Sequence, residues 1–267
     1  MAERVQKQWC FLMRENSVQH DLKLPSWKGL LVATVIVTLW ICSLLFLSFV
    51  DVDRLLPLWI LPAILGRTFI QTGLFIVAHD AIHGSVISSN RQLNDSIGQF
   101  AVTLYALLDY QKLAVNHWAH HRQPGQAGDP DFHDCHRLLW FLKFMKGYLD
   151  LRQIAIQFFG LGTVFIVLHF GLHIPVTNLL LFWILPIFFS TMQLFYFGTY
   201  LPHRSSNPDN FHHATSSNYP LILSFFTCYH FGYHWEHHEY PWLAWYDLPS
   251  VRQVALPHTS PLEMMRR

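Results

Sequence analysis

The chain has 267 residues, 52% of them hydrophobic and only 13% charged, with a formal net charge of +1. A soluble domain carries about 25% charged residues, so this composition points to a membrane and gives no sign of a nucleic-acid partner. Histidine is the outlier, its 18 residues outnumbering Asp and Glu together. Four cysteines (Cys10, Cys42, Cys135, Cys228) form no C-x-x-C pair, which argues against a disulfide framework, a zinc ribbon or a cysteine-ligated iron–sulfur cluster.

A spanning helix needs about 20 apolar residues without charge. Residues 29–50 supply the first, behind a polar leader, so no secretory signal peptide is expected. Residues 57–78 form the second, interrupted by Arg67, which must face the bundle interior or snorkel. Residues 97–108 are apolar but too short to cross and are predicted to be re-entrant or interfacial. Residues 154–173 and 177–201 complete a set of four. The predicted fold is an all-α integral membrane protein: one domain over 1–267, about four transmembrane helices and a cytoplasmic helical cap.

Orientation follows from the basic residues. Arg4, Lys7, Arg14, Lys23 and Lys28 precede the first span, and Arg204, Arg252, Arg266 and Arg267 follow the last. The long segment 79–153 carries Arg91, Lys112, Arg122, Arg137, Lys143, Lys146 and Arg152, whereas the other two loops hold only Arg54. The positive-inside rule puts both termini and segment 79–153 in the cytoplasm. The second and fourth spans then end on that face, immediately before His79 and His203.

Four histidine elements carry the chemistry. His79 and His83 stand in H-x-x-x-H, and His117, His120 and His121 in H-x-x-H-H. His203 stands alone, and His234, His237 and His238 repeat H-x-x-H-H. Positions i, i+3 and i+4 share a helix face, and neutral imidazole is the commonest protein metal ligand. Nine imidazoles exceed what one ion can use, so a dinuclear site is expected; soluble di-iron bundles use paired Glu-x-x-His helices in this way. Ligand type alone leaves iron, copper, zinc and nickel open, while the scarcity of carboxylates argues against magnesium or calcium.

The remaining histidines are set apart. His169 and His173 fall near the opposite face, and His20, His136 and His258 read as solvent-facing, while His133, His212 and His213 receive no assignment. His230, one turn before His234, is expected to support the site rather than ligate. Metal-bound histidines usually donate their other N–H to a carboxylate or carbonyl, for which Asp80, Asp129, Asp131, Glu236 and Glu239 are candidates.

A metal site at the mouth of the spans suggests a lipophilic substrate, and iron is the metal suited to O2 chemistry on an unactivated C–H bond. No G-x-G-x-x-G motif is present, so electrons must come from a separate donor. A metal transporter is the rival from another class, but it needs polar ligands near the midplane. The spans offer mainly Arg67, Gln71, Gln157 and Gln193 there.

The boxes "HDAIH", "HWAHH" and "HWEHH" resemble those of the membrane fatty-acid desaturase and hydroxylase superfamily of non-haem di-iron enzymes. The longer strings "AHDAIHGSV", "NHWAHHRQPGQAGDPDFH", "FGTYLPHR" and "CYHFGYHWEHHEYPWLAWYDLP" resemble the β-carotene ketolases within it, over about residues 60–250. This resemblance implies two iron ions, O2 as co-substrate, a ferredoxin-like electron donor and a carotenoid substrate. The reaction implied is formation of a ketone at C4 of the β-ionone ring by two hydroxylations and loss of water. The implied ligands are His79, His83, His117, His120, His121, His203, His234, His237 and His238. Superfamily sites often carry a water-bridged side chain one turn before the lone histidine, where this chain has Thr199. A fatty-acid desaturase or hydroxylase, or a carotenoid ring hydroxylase, shares the same boxes.

Overall fold

A computed structural model describes residues 26–54, 57–204 and 212–255. His20, His258, Cys10, the basic leader residues Arg4, Lys7, Arg14 and Lys23, and Arg266 and Arg267 lie outside them. The described residues form helices joined by turns and loops. These are α1 (Ser26–Ser48), α2 (Pro57–Ile82), α3 (Arg91–Ala106), α4 (Tyr110–Arg122), α5 (Arg137–Tyr148), α6 (Leu151–Gly171), α7 (Val176–His203), α8 (Leu221–Cys228), α9 (His234–Glu239) and α10 (Leu248–Ala255). Four of them, α1, α2, α6 and α7, are long and apolar enough to cross a membrane, matching the four expected spans. Their outer faces expose residues such as Leu45, Phe46, Leu61, Phe158 and Phe159, as a lipid-facing surface requires.

Two boundaries differ from the sequence reading in a way that matters. The expected second span stops at 78, but α2 runs to Ile82, so His79 lies in its last turn and His83 follows directly. Likewise α7 continues through 201 to His203. Polar ligand residues lower the local hydropathy, but they do not break helical hydrogen bonding. At the opposite end, Asn178 Nδ2 donates to the carbonyls of Leu47 and Val50 at 2.8 Å each, clasping the start of α7 to the end of α1. The two short loops therefore share one end of the bundle and the histidines the other.

Lipid offers no hydrogen-bonding partner, so transmembrane helices associate through packing and internal polar contacts rather than through burial from water. Arg67, 1% exposed, shows how a charge is accommodated. Its Nε donates to the Phe182 carbonyl at 3.0 Å, and its Nη1 to the Trp40 carbonyl at 3.0 Å and Ser43 Oγ at 2.8 Å. Phe182 lies four residues before Pro186, which has no N–H to offer it. Arg67 thus joins α1, α2 and α7 and occupies a carbonyl that proline leaves free.

The short apolar run 97–108 falls within α3, which packs chiefly against α2. Asn94, near its start, donates to Ala81 O at 2.6 Å, while Tyr105, near its end, sits at the level of Gln71. α3 therefore runs back down along α2 and stops partway, as a re-entrant helix. Leu107 (φ 55°) turns the chain into α4. The carbonyls left over at the end of a helix need partners, and here glutamines supply them. Gln71 Nε2 donates to Tyr105 O at 2.7 Å, Gln157 Nε2 to Ala106 O at 3.0 Å and Gln153 Nε2 to Leu107 O at 2.8 Å. The Gln71 oxygen also accepts from Trp40 Nε1 at 2.6 Å. Gly98 permits the tight crossing, since a Cβ there would lie 2.4 Å from the Tyr110 ring.

Replacing Gln71 by leucine leaves the Tyr105 carbonyl and the Trp40 indole N–H unpartnered. Each such buried group costs about 1–3 kcal/mol, so Gln71→Leu is expected to lower the midpoint of thermal unfolding in detergent clearly. Gln71→Glu, which keeps the acceptor for Trp40, is expected to lower it less.

Candidate metal centre

Four helices deliver the histidines. α2 ends on His79 and His83, α4 carries His117, His120 and His121, α7 ends on His203, and α9 carries His234, His237 and His238. The i, i+3, i+4 spacing on α4 and α9 turns both triplets inward. The chain reaches α9 from α8 through Tyr229 (φ 48°) and His230 (φ 61°), a left-handed turn unusual for such side chains. Ser216 Oγ accepts from Trp235 N at 3.0 Å and donates to Glu236 Oε2, fixing the start of α9.

The nine rings resolve into two groups and one ring between them. His79, His83, His117 and His237 form the first group, and His120, His203, His234 and His238 the second. Within each, one nitrogen per ring lies within 4.8 Å of all the others. The converging atoms in the close pairs are Nε2: His83–His117 at 2.8 Å, His203–His234 at 3.0 Å, His120–His238 at 3.1 Å and His234–His238 at 3.2 Å. His121 bridges the groups, with its Nε2 3.1 Å from His117 and 3.0 Å from His237 and its ring stacked on His238.

The sequence profile of the fatty acid desaturase family matches residues 53–153 and 132–263, a region that contains every one of these histidines. The chain belongs to that family. Within it the chain belongs with the β-carotene ketolases, and three relatives show the likeness. The β-carotene 4-ketolase of Protosiphon botryoides is 36% identical over 276 residues, an alignment covering 92% of this chain and 69% of the relative. The zeaxanthin 4-ketolase of Chlamydomonas reinhardtii is 36% identical over 96% of this chain and 63% of its own length. A β-carotene ketolase of a Paracoccus species is 40% identical over 73% of this chain and 80% of its own. The chain thus spans roughly two thirds of the first two proteins and four fifths of the third. No solved structure matches it.

The histidines of the desaturase-family site are largely buried. Among the rings outside the spans, His117, His121, His234, His237 and His238 are held well below the ordinary histidine value, first by burial and then by neighbouring imidazoles. They are neutral and present lone pairs. His120 behaves differently: burial pulls it down, but the hydrogen bond to Asp129 and the charges of Asp131 and Asp129 hold it up. Burial by itself would raise Asp129, yet hydrogen bonds from His120 and from the Asp131 and Gly125 amides keep it below the usual carboxylate range.

Among the described residues, two rings make close hydrogen bonds to partners outside the cluster. His120 Nδ1–H donates to both Asp129 oxygens at 2.9 and 3.0 Å, and His203 Nδ1–H donates to the His213 carbonyl at 2.7 Å. Both rings therefore turn Nε2 towards the cluster. Asp80 Oδ1 stands 3.6 Å from His79 Nδ1, beyond hydrogen-bonding distance, while its Oδ2 accepts from Trp245 N at 3.3 Å. Nδ1 of His79, His83 and His238 has no hydrogen-bond partner among the described residues.

The other expected supports are engaged elsewhere. Glu236 accepts from Arg252 Nη1 at 2.8 Å as well as from Ser216, tying α9 to α10. Glu239 pairs with His212 at 2.7 Å. Asp131 accepts from the Tyr148 hydroxyl at 2.5 Å, and burial raises its carboxyl to about 6. His230 hydrogen-bonds Ser224 Oγ and packs against Phe225, Tyr233 and Trp245, so the structure does not bring it to the cluster. The sequence reading missed the His213 carbonyl, Ser216 and Arg252. A backbone acceptor leaves no side-chain signature, and an anchoring serine looks like any loop residue.

A cavity of about 470 Å³ opens beside the histidines and runs between α2, α3, α4, α5, α6 and α7. His79, His117, His120 and His234 wall one end, and Phe75, Phe141, Phe144, Ile184 and Ile187 are among its largely apolar lining.

The depressed histidines set a pH dependence. Below about 6.5, the ordinary histidine value, the unfolded chain takes up protons that the folded cluster refuses, so stability falls as pH falls. His120, held up by Asp129, acts in the opposite direction. The metal-free protein is expected to unfold at lower temperature at about pH 5 than at about pH 7.5, and Asp129→Asn is expected to steepen that dependence.

Proposed function

We propose that this chain is a membrane oxygenase that forms a ketone at C4 of the β-ionone ring of β-carotene, using two iron ions held by the nine histidines. The observation that carries this reading is the pair of four-imidazole groups at the end of an apolar cavity. The Nε2 separations of 2.8–3.2 Å within the groups are short enough for neighbouring rings to share one ion. A neutral imidazole has one N–H for two nitrogens, so converging Nε2 atoms cannot all be satisfied by one another, and a cation would serve the lone pairs left over. The donor set therefore fits the metal pair.

His79, His83, His117 and His237 would hold one ion and His120, His203, His234 and His238 the other, with His121 between them. Bound iron would supply the activation of O2, with electrons from a separate, ferredoxin-like donor. The chain's own residues do the rest. Asp129 and the His213 carbonyl fix the tautomers of His120 and His203, so both imidazoles present Nε2 inward. The aromatic lining excludes water and admits a hydrocarbon ring from the bilayer. Positions beside His79, His117, His120 and His234 are where the reacting carbon would sit.

Each of two oxygenations at C4 consumes one O2, two electrons and two protons and releases water. The resulting geminal diol loses water to give the ketone, so β-carotene passes to echinenone and then canthaxanthin, and hydroxylated rings lead towards astaxanthin. The relatives named as β-carotene and zeaxanthin 4-ketolases support this choice over a lipid substrate. The positive-inside distribution supports a cytoplasmic histidine end. A metal transporter fits poorly, since the histidines gather at the span ends and not at the midplane.

Expression in β-carotene-producing cells is expected to yield new ketocarotenoids, with close to two irons per purified chain. His237→Ala should abolish ketone formation. His169→Ala should leave it largely intact, because that ring donates to Ile174 O at 2.9 Å at the far end of α6. Unchanged carotene accompanied by newly desaturated lipid would overturn the substrate assignment, and a single zinc the metal assignment.

A further inference from the structure

One carboxyl group is out of place in the cavity. Asp131 lines it beside His117, His120 and His234, is 7% exposed, and stands among apolar and aromatic neighbours. Its backbone is fixed, with N–H donating to Asp129 Oδ1 at 2.8 Å and its carbonyl accepting from Trp140 Nε1 at 2.8 Å. Its Oδ1 accepts from Tyr148, which leaves Oδ2 with no hydrogen-bond partner among the described residues. The residue lines the cavity, so an acceptor oxygen with spare capacity stands at the edge of the space a substrate ring would fill.

We propose that Asp131, held in place by Tyr148, is the positioning residue for the once-oxidised ring, its free oxygen accepting a hydrogen bond from the C4 hydroxyl. The inference rests on the substrate reading above. A plain hydrocarbon ring has nothing to offer this oxygen, whereas the alcohol formed by the first oxygenation does. The alcohol is therefore retained beside the histidines, oriented for a second oxygenation at the same carbon. Without such a contact it would leave as readily as the hydrocarbon enters. A hydrogen bond to a charged acceptor is about twice as strong as one between neutral groups, and a tenfold change in affinity needs about 1.4 kcal/mol.

Binding to the metal-free full-length protein in lipid nanodiscs isolates this contact from catalysis, with β-carotene, its 4-hydroxy derivative and its 3-hydroxy derivative as probes. Wild type is expected to bind the 4-hydroxy compound about tenfold more tightly than β-carotene. Asp131→Leu should bring that ratio near one while β-carotene affinity holds. In carotene-producing cells the same variant should raise the ratio of 4-hydroxy to 4-keto product about tenfold. If Asp131→Leu fails to bind β-carotene, Asp131→Asn carries the test, keeping the volume and losing the charge; its preference should fall about threefold.

An unchanged preference in the variant, or equal loss of both ligands in the Leu and Asn variants, would overturn the proposal and leave Asp131 a structural residue. A stronger preference for the 3-hydroxy compound would also overturn it, moving the role to choice of substrate. Failure of wild type to bind any of the three carotenoids would instead sink the substrate reading itself.

Discussion

A helix that ends inside a bilayer must find partners for its last carbonyls within the protein, and the rest of this structure depends on how α3 does so. Gln71, Gln153 and Gln157 reach its end from two different spans. Because α3 stops where it does, α4 rises from inside the bundle and delivers His117, His120 and His121 to the ends of α2 and α7. The same re-entrant turn keeps α5 and α6 away from α2, and the space so held apart is the cavity. Three side-chain amides thus fix both the second histidine box and the room beside it.

The cluster meets the opposite electrostatic demand. Nine imidazoles in one small volume are tolerable only while nearly all are neutral, and burial keeps them so. Neutrality creates a further difficulty, since each ring has one proton for two nitrogens and the converging atoms cannot all be satisfied by one another. Asp129 and the His213 carbonyl sharpen it by taking the Nδ1 protons outward. The folded chain is therefore built around a nearly uncharged set of nitrogen donors, which suits the proposed pair of cations.

Much of this was legible in the sequence. The H-x-x-H-H spacing defines a helix face whatever the tertiary structure, and long apolar runs mark spans by composition alone. The assignment of Asp129 to a histidine rested on residue type, and the structure provides the hydrogen bond. What stayed hidden was pairing across the fold. Arg67 looked like an interruption, because nothing local reveals that it meets a carbonyl freed by Pro186. Glu236 looked like a partner for histidine, but its neighbour on the folded surface is Arg252. His230 sits at a helical interval from His234, yet the left-handed turn at 229–230 removes it from that helix. Span ends were set too early at 78 and 201 because hydropathy falls before helical hydrogen bonding does.

The last span carries one more consequence. Residues Leu194–Tyr200 of α7 are wound as a π-helix, with wider turns than the segment before them. Each turn of that kind takes in an extra residue, so the two parts of α7 share an axis but not a phase. The first part sets its angular position by contact with α1 and α2, through Asn178 and Phe182. The second part takes its own, packed against α8 and Phe231, and with it sets the heading of His203. α7 works as a splined joint: one end is locked into the membrane bundle, and the other is rotated to point an imidazole at its neighbours.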